Sequence, residues 1–142
     1  KIAQGDYDGD GKTDLAVWRP STGVWYIWKS SDNDFMITGF GLSGDKPVQG
    51  DYDGDGKTDL AVFRPSNSVW YLLRSRDGFT ASQFGISTDR PAPADFDGDG
   101  LTDPAVFRDG IWYVLRSSDS SAFIASFGSI GDVPAPGGYL SE

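Results

Sequence analysis

The sequence lacks cysteine and histidine, and its single glutamate is Glu142. Without cysteine, the chain has neither a disulfide framework nor a thiolate metal site. Positive charge is also scarce, because 12 lysine and arginine residues face 21 acidic ones and the formal net charge is −9. That charge opposes binding to nucleic acid or to an anionic membrane surface, whose phosphates it would repel. No apolar run approaches the roughly 18 residues that a membrane-spanning helix needs.

Repetition is what the sequence has in abundance. The segment GDYDGDGKTDLAV at residues 5–17 returns unchanged at residues 50–62 and comes back as ADFDGDGLTDPAV at residues 94–106. An aromatic motif follows each copy (VWYIWKS, VWYLLRS, IWYVLRS), and then F-G and Asp-x-Pro. A fixed period of this kind indicates a repeat architecture. We divide the chain into blade 1 (1–44), blade 2 (45–88), blade 3 (89–131) and the partial start of a fourth repeat (132–142), which lacks the acidic loop.

Each repeat is predicted to form four short strands. In the second repeat these are PVQGDY, DLAVFRP, SVWYLLRS and FTASQFG, separated by turn residues. No segment has helical periodicity. An antiparallel unit of four strands and about 45 residues has the size of one propeller blade. We therefore predict an all-β chain of three four-stranded antiparallel β-propeller blades. A β-sandwich is the alternative, but near-identical repeats favour the equivalent environments of a ring.

The acidic loops are candidate metal sites. Aspartate stands at positions 1, 3, 5 and 9 of each loop, and glycine at position 6. Oxygen donors around a tight glycine turn, with the position 7 carbonyl pointing inward, suit Ca²⁺, whereas Mg²⁺ demands a smaller octahedron and soft metals find no ligand. The predicted ligands are Asp6, Asp8, Asp10, Lys12 and Asp14 in the first loop, Asp51, Asp53, Asp55, Lys57 and Asp59 in the second, and Asp95, Asp97, Asp99, Leu101 and Asp103 in the third.

Two alternatives to a calcium site exist for these loops, an ordinary turn and an EF-hand. Aspartate and glycine also form ordinary turns, but four carboxylates within nine residues repel one another unless a cation neutralises them. An EF-hand needs a bidentate glutamate at position 12, where this chain has Val17, Val62 and Val106. The loops hold twelve of the 21 acidic residues. We therefore predict three Ca²⁺ per chain, which would offset six of the nine excess negative charges.

The order F-G, Asp-x-Pro and then G-D-[YF]-D-G-D-G-x-T-D-x-A-V resembles the FG-GAP (or VCBS) repeat of integrin α-subunits and many secreted bacterial and fungal proteins. The resemblance runs from Lys1 to about Pro136. It implies a β-propeller with one Ca²⁺ in the hairpin between the first two strands of each blade, held by the twelve loop aspartates. It also implies an extracellular or cell-surface location. The chain departs from the family where RPS (19–21, 64–66) and RDG (108–110) replace GAP, so integrin-like partner recognition is not transferred.

Nearly every candidate catalytic group recurs three times, which is typical of structure rather than of an asymmetric active site. We therefore predict no catalytic residues. The recurring tryptophans Trp25, Trp70 and Trp112 are candidates for contact with a sugar ring, and packing between blades is the alternative. The recurring arginines are expected to pair with the aspartates of the Asp-x-Pro motifs rather than with an anionic ligand. These two sets are Arg19, Arg64 and Arg108, and Asp45, Asp89 and Asp132.

These patterns favour a calcium-binding, non-catalytic propeller module for extracellular recognition of carbohydrate or of another protein. The alternatives are an accessory module of a larger secreted polysaccharide-degrading enzyme and a purely structural repeat. Three blades leave two blade faces uncovered, and exposed apolar surface of that kind marks an interface. We expect a homodimer in which a second chain completes a six-bladed ring about a two-fold axis.

Overall fold

The computed structural model describes residues 1–135 and shows an all-β fold. Part of the predicted fourth repeat, from residue 136 onward, lies outside the described residues. Within the described range no helix could cross a lipid bilayer. The strands are β1 Leu15–Arg19, β2 Val24–Trp28, β3 Phe35–Gly39, β4 Lys46–Pro47, β5 Leu60–Arg64, β6 Val69–Arg74, β7 Gly78–Gln83, β8 Arg90–Pro91, β9 Ala105–Arg108, β10 Ile111–Leu115 and β11 Ala122–Ser126.

The strands form three antiparallel sheets, one for each repeat. Sheet 1 has the order β1-β2-β3, sheet 2 the order β4-β5-β6-β7, and sheet 3 the order β8-β9-β10-β11. Consecutive strands pair in register through short turns, so that Phe63 faces Trp70 and Phe107 faces Trp112. The all-β class and the propeller-like antiparallel blades predicted from the repeats are confirmed. Completion of a ring by a second chain stays a prediction.

The first strand of each repeat differs from the prediction. Sheets 2 and 3 begin with two-residue strands, and the segment after β4 adds only the hydrogen bond from the Val48 N–H to the Ala61 carbonyl and an isolated bridge from Gly50 to Asp59. Sheet 1 has three strands rather than the predicted four, because Ile2 forms a single bridge with Val17 instead of a ladder. The acidic loop starts immediately after this segment, and its tight turns leave little extended backbone to pair.

The hydrophobic core lies between successive sheets. One cluster joins the face of sheet 1 to Leu60 and Val62 of sheet 2, and a second joins the opposite face of sheet 2 to Val106 of sheet 3. Each sheet is thus covered by its neighbour in the chain, which is how small repeats hide apolar surface that they cannot bury alone. The first cluster contains Ala3, Tyr7, Ala16, Trp18, Trp25, Ile27, Leu60 and Val62.

A glycine and a threonine meet at each junction between repeats. A Cβ atom added at Gly5 would lie 2.6 Å from the Thr58 side chain, and one added at Gly50 would lie 2.6 Å from the Thr102 side chain. Only glycine permits this approach, because any side chain there would collide with the next repeat. The third repeat has Ala94 at the same position. Its junction with any following repeat of the same kind must therefore differ.

Candidate metal centres

The first aspartate of each acidic loop organises the turn that follows it. In the first loop, the Asp6 carboxylate accepts hydrogen bonds from the main-chain N–H of Gly9 (2.7 Å) and of Gly11 (2.8 Å). Gly11 has φ +85°, a conformation that glycine adopts at little cost. The second and third loops repeat both hydrogen bonds and the positive φ, at Asp51 and at Asp95. The alternation of aspartate and glycine therefore forms the same compact loop three times.

The aspartate at position 9 of each loop is buried and accepts hydrogen bonds from two separate segments of the repeat. Asp59 accepts hydrogen bonds from the main-chain N–H of Tyr52 (2.8 Å) on one oxygen and of Ser75 (2.7 Å) on the other. Asp14 and Asp103 make the equivalent pairs of hydrogen bonds. Burial raises the pKa of Asp59 to about 6. These aspartates tie the acidic loop to the turn between the third and fourth strands of the repeat pattern.

That turn supplies residues which hydrogen-bond to the acidic loops and which the sequence analysis missed. We call residues 29–34, 74–77 and 116–121 the covering turns, because the side chains at their second and third positions hydrogen-bond to the acidic loops. The Ser30 hydroxyl donates to Asp10 Oδ2 (3.0 Å), and the Ser31 hydroxyl donates to Asp8 Oδ2 (2.7 Å), which lowers the pKa of Asp8. The recurring letters KSSD, RSRD and RSSD were the available signal.

Three aspartates of each loop bring a carboxylate oxygen within 4.8 Å of the others. These groups are Asp6, Asp8 and Asp10; Asp51, Asp53 and Asp59; and Asp95, Asp97 and Asp99. Asp14, Asp55 and Asp103 lie outside these groups, and the predicted carbonyl ligands of Lys12, Lys57 and Leu101 stay a prediction. Each group clusters hard oxygen atoms in the arrangement that a divalent cation can occupy.

The middle loop contains an oxygen atom that lacks a partner. Asp53 is only 4% exposed, and Asp53 Oδ1 is the one buried side-chain oxygen within residues 1–135 that accepts no hydrogen bond. Its other oxygen accepts the main-chain N–H of Arg76 (2.9 Å) and of Asp77 (3.0 Å). A buried carboxylate oxygen left unpaired is costly. The residues present therefore fit a bound cation, since it would satisfy this atom.

The recurring tryptophans pack in the core at two of their three positions. Trp25 and Trp70 are fully buried, and their indole N–H groups donate to the main-chain oxygens of Phe40 (2.8 Å) and Phe84 (3.1 Å). Neither offers a ring face to a sugar, which corrects the ligand-binding hypothesis for these two residues. Trp112 is half-buried and also donates its N–H to a main-chain oxygen. Its role in ligand binding stays a prediction.

Two of the three recurring arginines form the predicted ion pairs. Arg64 Nε donates to Asp45 Oδ1 at 2.8 Å, and Arg108 Nε donates to Asp89 Oδ1 at 2.6 Å. Both carboxylates are buried. These bidentate pairs therefore fix the first residue of the second and third repeats to the second strand of the same repeat. Arg19 instead donates to the Tyr26 hydroxyl (2.7 Å) and stacks over its ring.

Comparison with known proteins gave one match. Residues 51–106 match the sequence profile of the family described as FG-GAP-like repeat. The matched segment begins at the first aspartate of the middle loop and ends in β9, so it contains two acidic loops and the junction between them. No curated protein and no solved structure matches the chain. The resemblance predicted from the sequence is confirmed for this segment: residues 51–106 match the FG-GAP-like repeat.

Proposed function

We propose that this chain is a calcium-binding, non-catalytic repeat module that serves in extracellular recognition. The observation that carries the proposal is the unpaired, buried Asp53 Oδ1 inside a group of three clustered carboxylates. Turn geometry alone explains the hydrogen bonds of the first and ninth loop residues. It does not explain a carboxylate oxygen that is removed from water and given no donor.

Calcium is the cation that best suits these groups. The chain offers carboxylate, carbonyl and hydroxyl oxygens but no thiolate or imidazole, which excludes the usual ligands of zinc and copper. Calcium accepts six to eight oxygen ligands in flexible geometry, whereas magnesium keeps several waters in a strict octahedron. The clustered aspartates of each loop would hold the ion, and the exposed side of the loop leaves room for water. If the chain acts outside the cell, its sites should bind calcium in the range of about 10⁻⁴ to 10⁻³ M, as extracellular calcium modules do.

Cation binding would also strengthen the packing between repeats. The main-chain N–H of Thr58 donates to the Asp6 carbonyl oxygen, and that of Thr102 donates to the Asp51 carbonyl oxygen, both at 2.6 Å. The first aspartate of one loop is thus bonded to the loop of the next repeat. A cation that fixes this aspartate would therefore fix the junction as well.

The absence of a catalytic role belongs to the same proposal. The ionisable groups that cluster in the described residues recur in three equivalent loops, and such repetition supports a structural use. Recognition of carbohydrate has less support than recognition of protein, because Trp25 and Trp70 are buried while the outer face of sheet 1 exposes apolar side chains. A glycan array, read with calcium and with EDTA, would detect carbohydrate recognition if it exists.

Calorimetric titration of the metal-free chain with Ca²⁺ tests the proposal. We expect three ions per chain, and the substitution Asp53→Asn should remove or greatly weaken one of them. Asp109→Asn is the matched control, since Asp109 is exposed, lies outside the clustered groups and belongs to no covering turn. Titration with Mg²⁺ in place of Ca²⁺ should give weaker binding. A chain that takes up no Ca²⁺ at millimolar concentration would contradict the proposal.

A further inference from the structure

The three covering turns differ at one position that lies on the acidic loop. The residue is Ser31 in the first turn, Arg76 in the second and Ser118 in the third. Both serine hydroxyls donate to the aspartate at position 3 of their loop. Ser31 Oγ lies 2.7 Å from Asp8 Oδ2, and Ser118 Oγ lies 2.6 Å from Asp97 Oδ2. At this position, the outer loops therefore receive hydrogen bonds from neutral hydroxyl groups.

Arg76 places a permanent positive charge on the middle loop. Its Nη2 donates to the main-chain oxygen of Asp53, and its Nε donates to Asp77 Oδ1 at 3.0 Å. The hydrogen bond with Asp77 is the largest cause of the raised pKa of Arg76, and the nearby carboxylates of Asp53 and Asp55 add to it. The guanidinium thus interacts with two of the aspartates predicted to bind the cation.

The positive charge acts in opposite directions on the free and the cation-bound loop. In the free loop, Arg76 offsets part of the repulsion among the carboxylates. In the bound loop, it repels the divalent ion. A group that stabilises the free state and destabilises the bound state lowers the affinity. The neutral serines of the outer loops have no such effect.

We propose that Arg76 sets the cation affinity of the middle loop, weakening divalent binding there and reducing the loop's dependence on the ion. This inference rests on the proposed calcium-binding function. Replacing Arg76 by the serine of the other repeats should therefore raise the affinity of the middle loop and leave the outer loops unchanged. For one unit charge near a divalent ion at the protein surface, the expected change is about tenfold.

Nuclear magnetic resonance can follow the three loops separately. Gly11, Gly56 and Gly100 occupy position 6 of the three loops, and their main-chain amide signals report on Ca²⁺ binding at each one. In Arg76→Ser, the Ca²⁺ concentration at the midpoint of the Gly56 response should fall about tenfold. In the reciprocal variant Ser118→Arg, the midpoint of the Gly100 response should rise by a similar factor. The other two glycines should keep their midpoints in each variant.

Arg90→Ser is the matched control, because it removes the same charge from a guanidinium that donates to the main-chain oxygen of Asp132 (2.9 Å). It should move none of the three midpoints by more than about twofold. If all three glycines respond to Ca²⁺ but Arg76→Ser leaves the Gly56 midpoint unchanged, the role of Arg76 is overturned and calcium binding stands. If no glycine responds in the unmodified chain, the proposed function fails. Should Arg76→Ser fail to fold, the Gly100 midpoint in Ser118→Arg decides the question.

Discussion

Strands β1 and β5 have nearly the same sequence, LAVWR and LAVFR, but very different surroundings. Leu15 in β1 is 66% exposed, whereas Leu60 at the same position of β5 is 6% exposed. The difference lies in what packs against each strand. Sheet 1 covers this face of β5, while no segment within residues 1–135 covers the same face of β1. Burial in this molecule is therefore decided by the neighbouring repeat rather than by the strand itself.

Among single substitutions, the largest expected effect on stability comes from the two matched leucines. Leu60→Ala should lower the free energy of unfolding by about 3 kcal/mol, because it leaves a cavity between sheets 1 and 2. Leu15→Ala should change it by less than about 0.5 kcal/mol, since the side chain is mostly in water. Urea denaturation of both variants in saturating Ca²⁺ measures the difference. Equal losses would show that β1 is covered in solution, which would break the comparison.

The matched arginines of the same strands should give the next largest effect. Arg64→Leu removes the partner of the buried Asp45 carboxylate and should cost about 2 kcal/mol. Arg19 forms no ion pair within the described residues. Arg19→Leu should therefore cost less than about 1 kcal/mol, which is the loss of its contact with the Tyr26 ring. Thermal melts of the two variants decide the point. A loss in Arg19→Leu as large as that in Arg64→Leu would contradict the assignment.

The sequence predicted the repeated features better than the differences among repeats. Alternation of apolar residues and turn residues located the second, third and fourth strands of the repeat pattern, and the recurrence of Asp45 and Arg64 in each repeat predicted their ion pair. The exposure of Leu15 could not be read from a strand whose copy is buried. The covering serines were missed because serine is common in turns, and only the packed hairpins bring them onto the acidic loops.

Tryptophan shows a second limit of sequence reasoning. A strand residue such as Trp25 faces one side of its sheet, but the alternation along the strand does not say whether that side is covered. The structure covers both Trp25 and Trp70 with the next sheet and satisfies their indole N–H groups. Trp112 occupies the same position in the last described sheet and remains half-buried. Among residues 1–135 no sheet follows sheet 3 and none precedes sheet 1, which explains the exposure of both Trp112 and Leu15.

A homodimer would cover the exposed face of β1 and so remove its difference from β5. Among these predictions, dimerisation has the smallest expected effect on the stability of a single chain. If a second copy packs on sheet 1, light scattering in Ca²⁺ should give twice the chain mass of 15.3 kDa, and Leu15→Glu should return the monomer. A junction like the inner ones would bring Thr13 of the partner subunit against Ala94, so Ala94→Gly should strengthen the association. A monodisperse monomer at all concentrations would contradict the dimer.

The central claim is that the acidic loops bind calcium and that the bound ions stabilise the repeats. Thermal unfolding in millimolar Ca²⁺ and in EDTA tests it most directly. At 100 times the dissociation constant, each ion adds about 2.7 kcal/mol, so three independent sites would add roughly 8 kcal/mol, comparable to the net stability of a small domain. We predict a much higher melting temperature in Ca²⁺, with a smaller gain in Asp53→Asn. Identical melting temperatures in Ca²⁺ and EDTA would contradict the account.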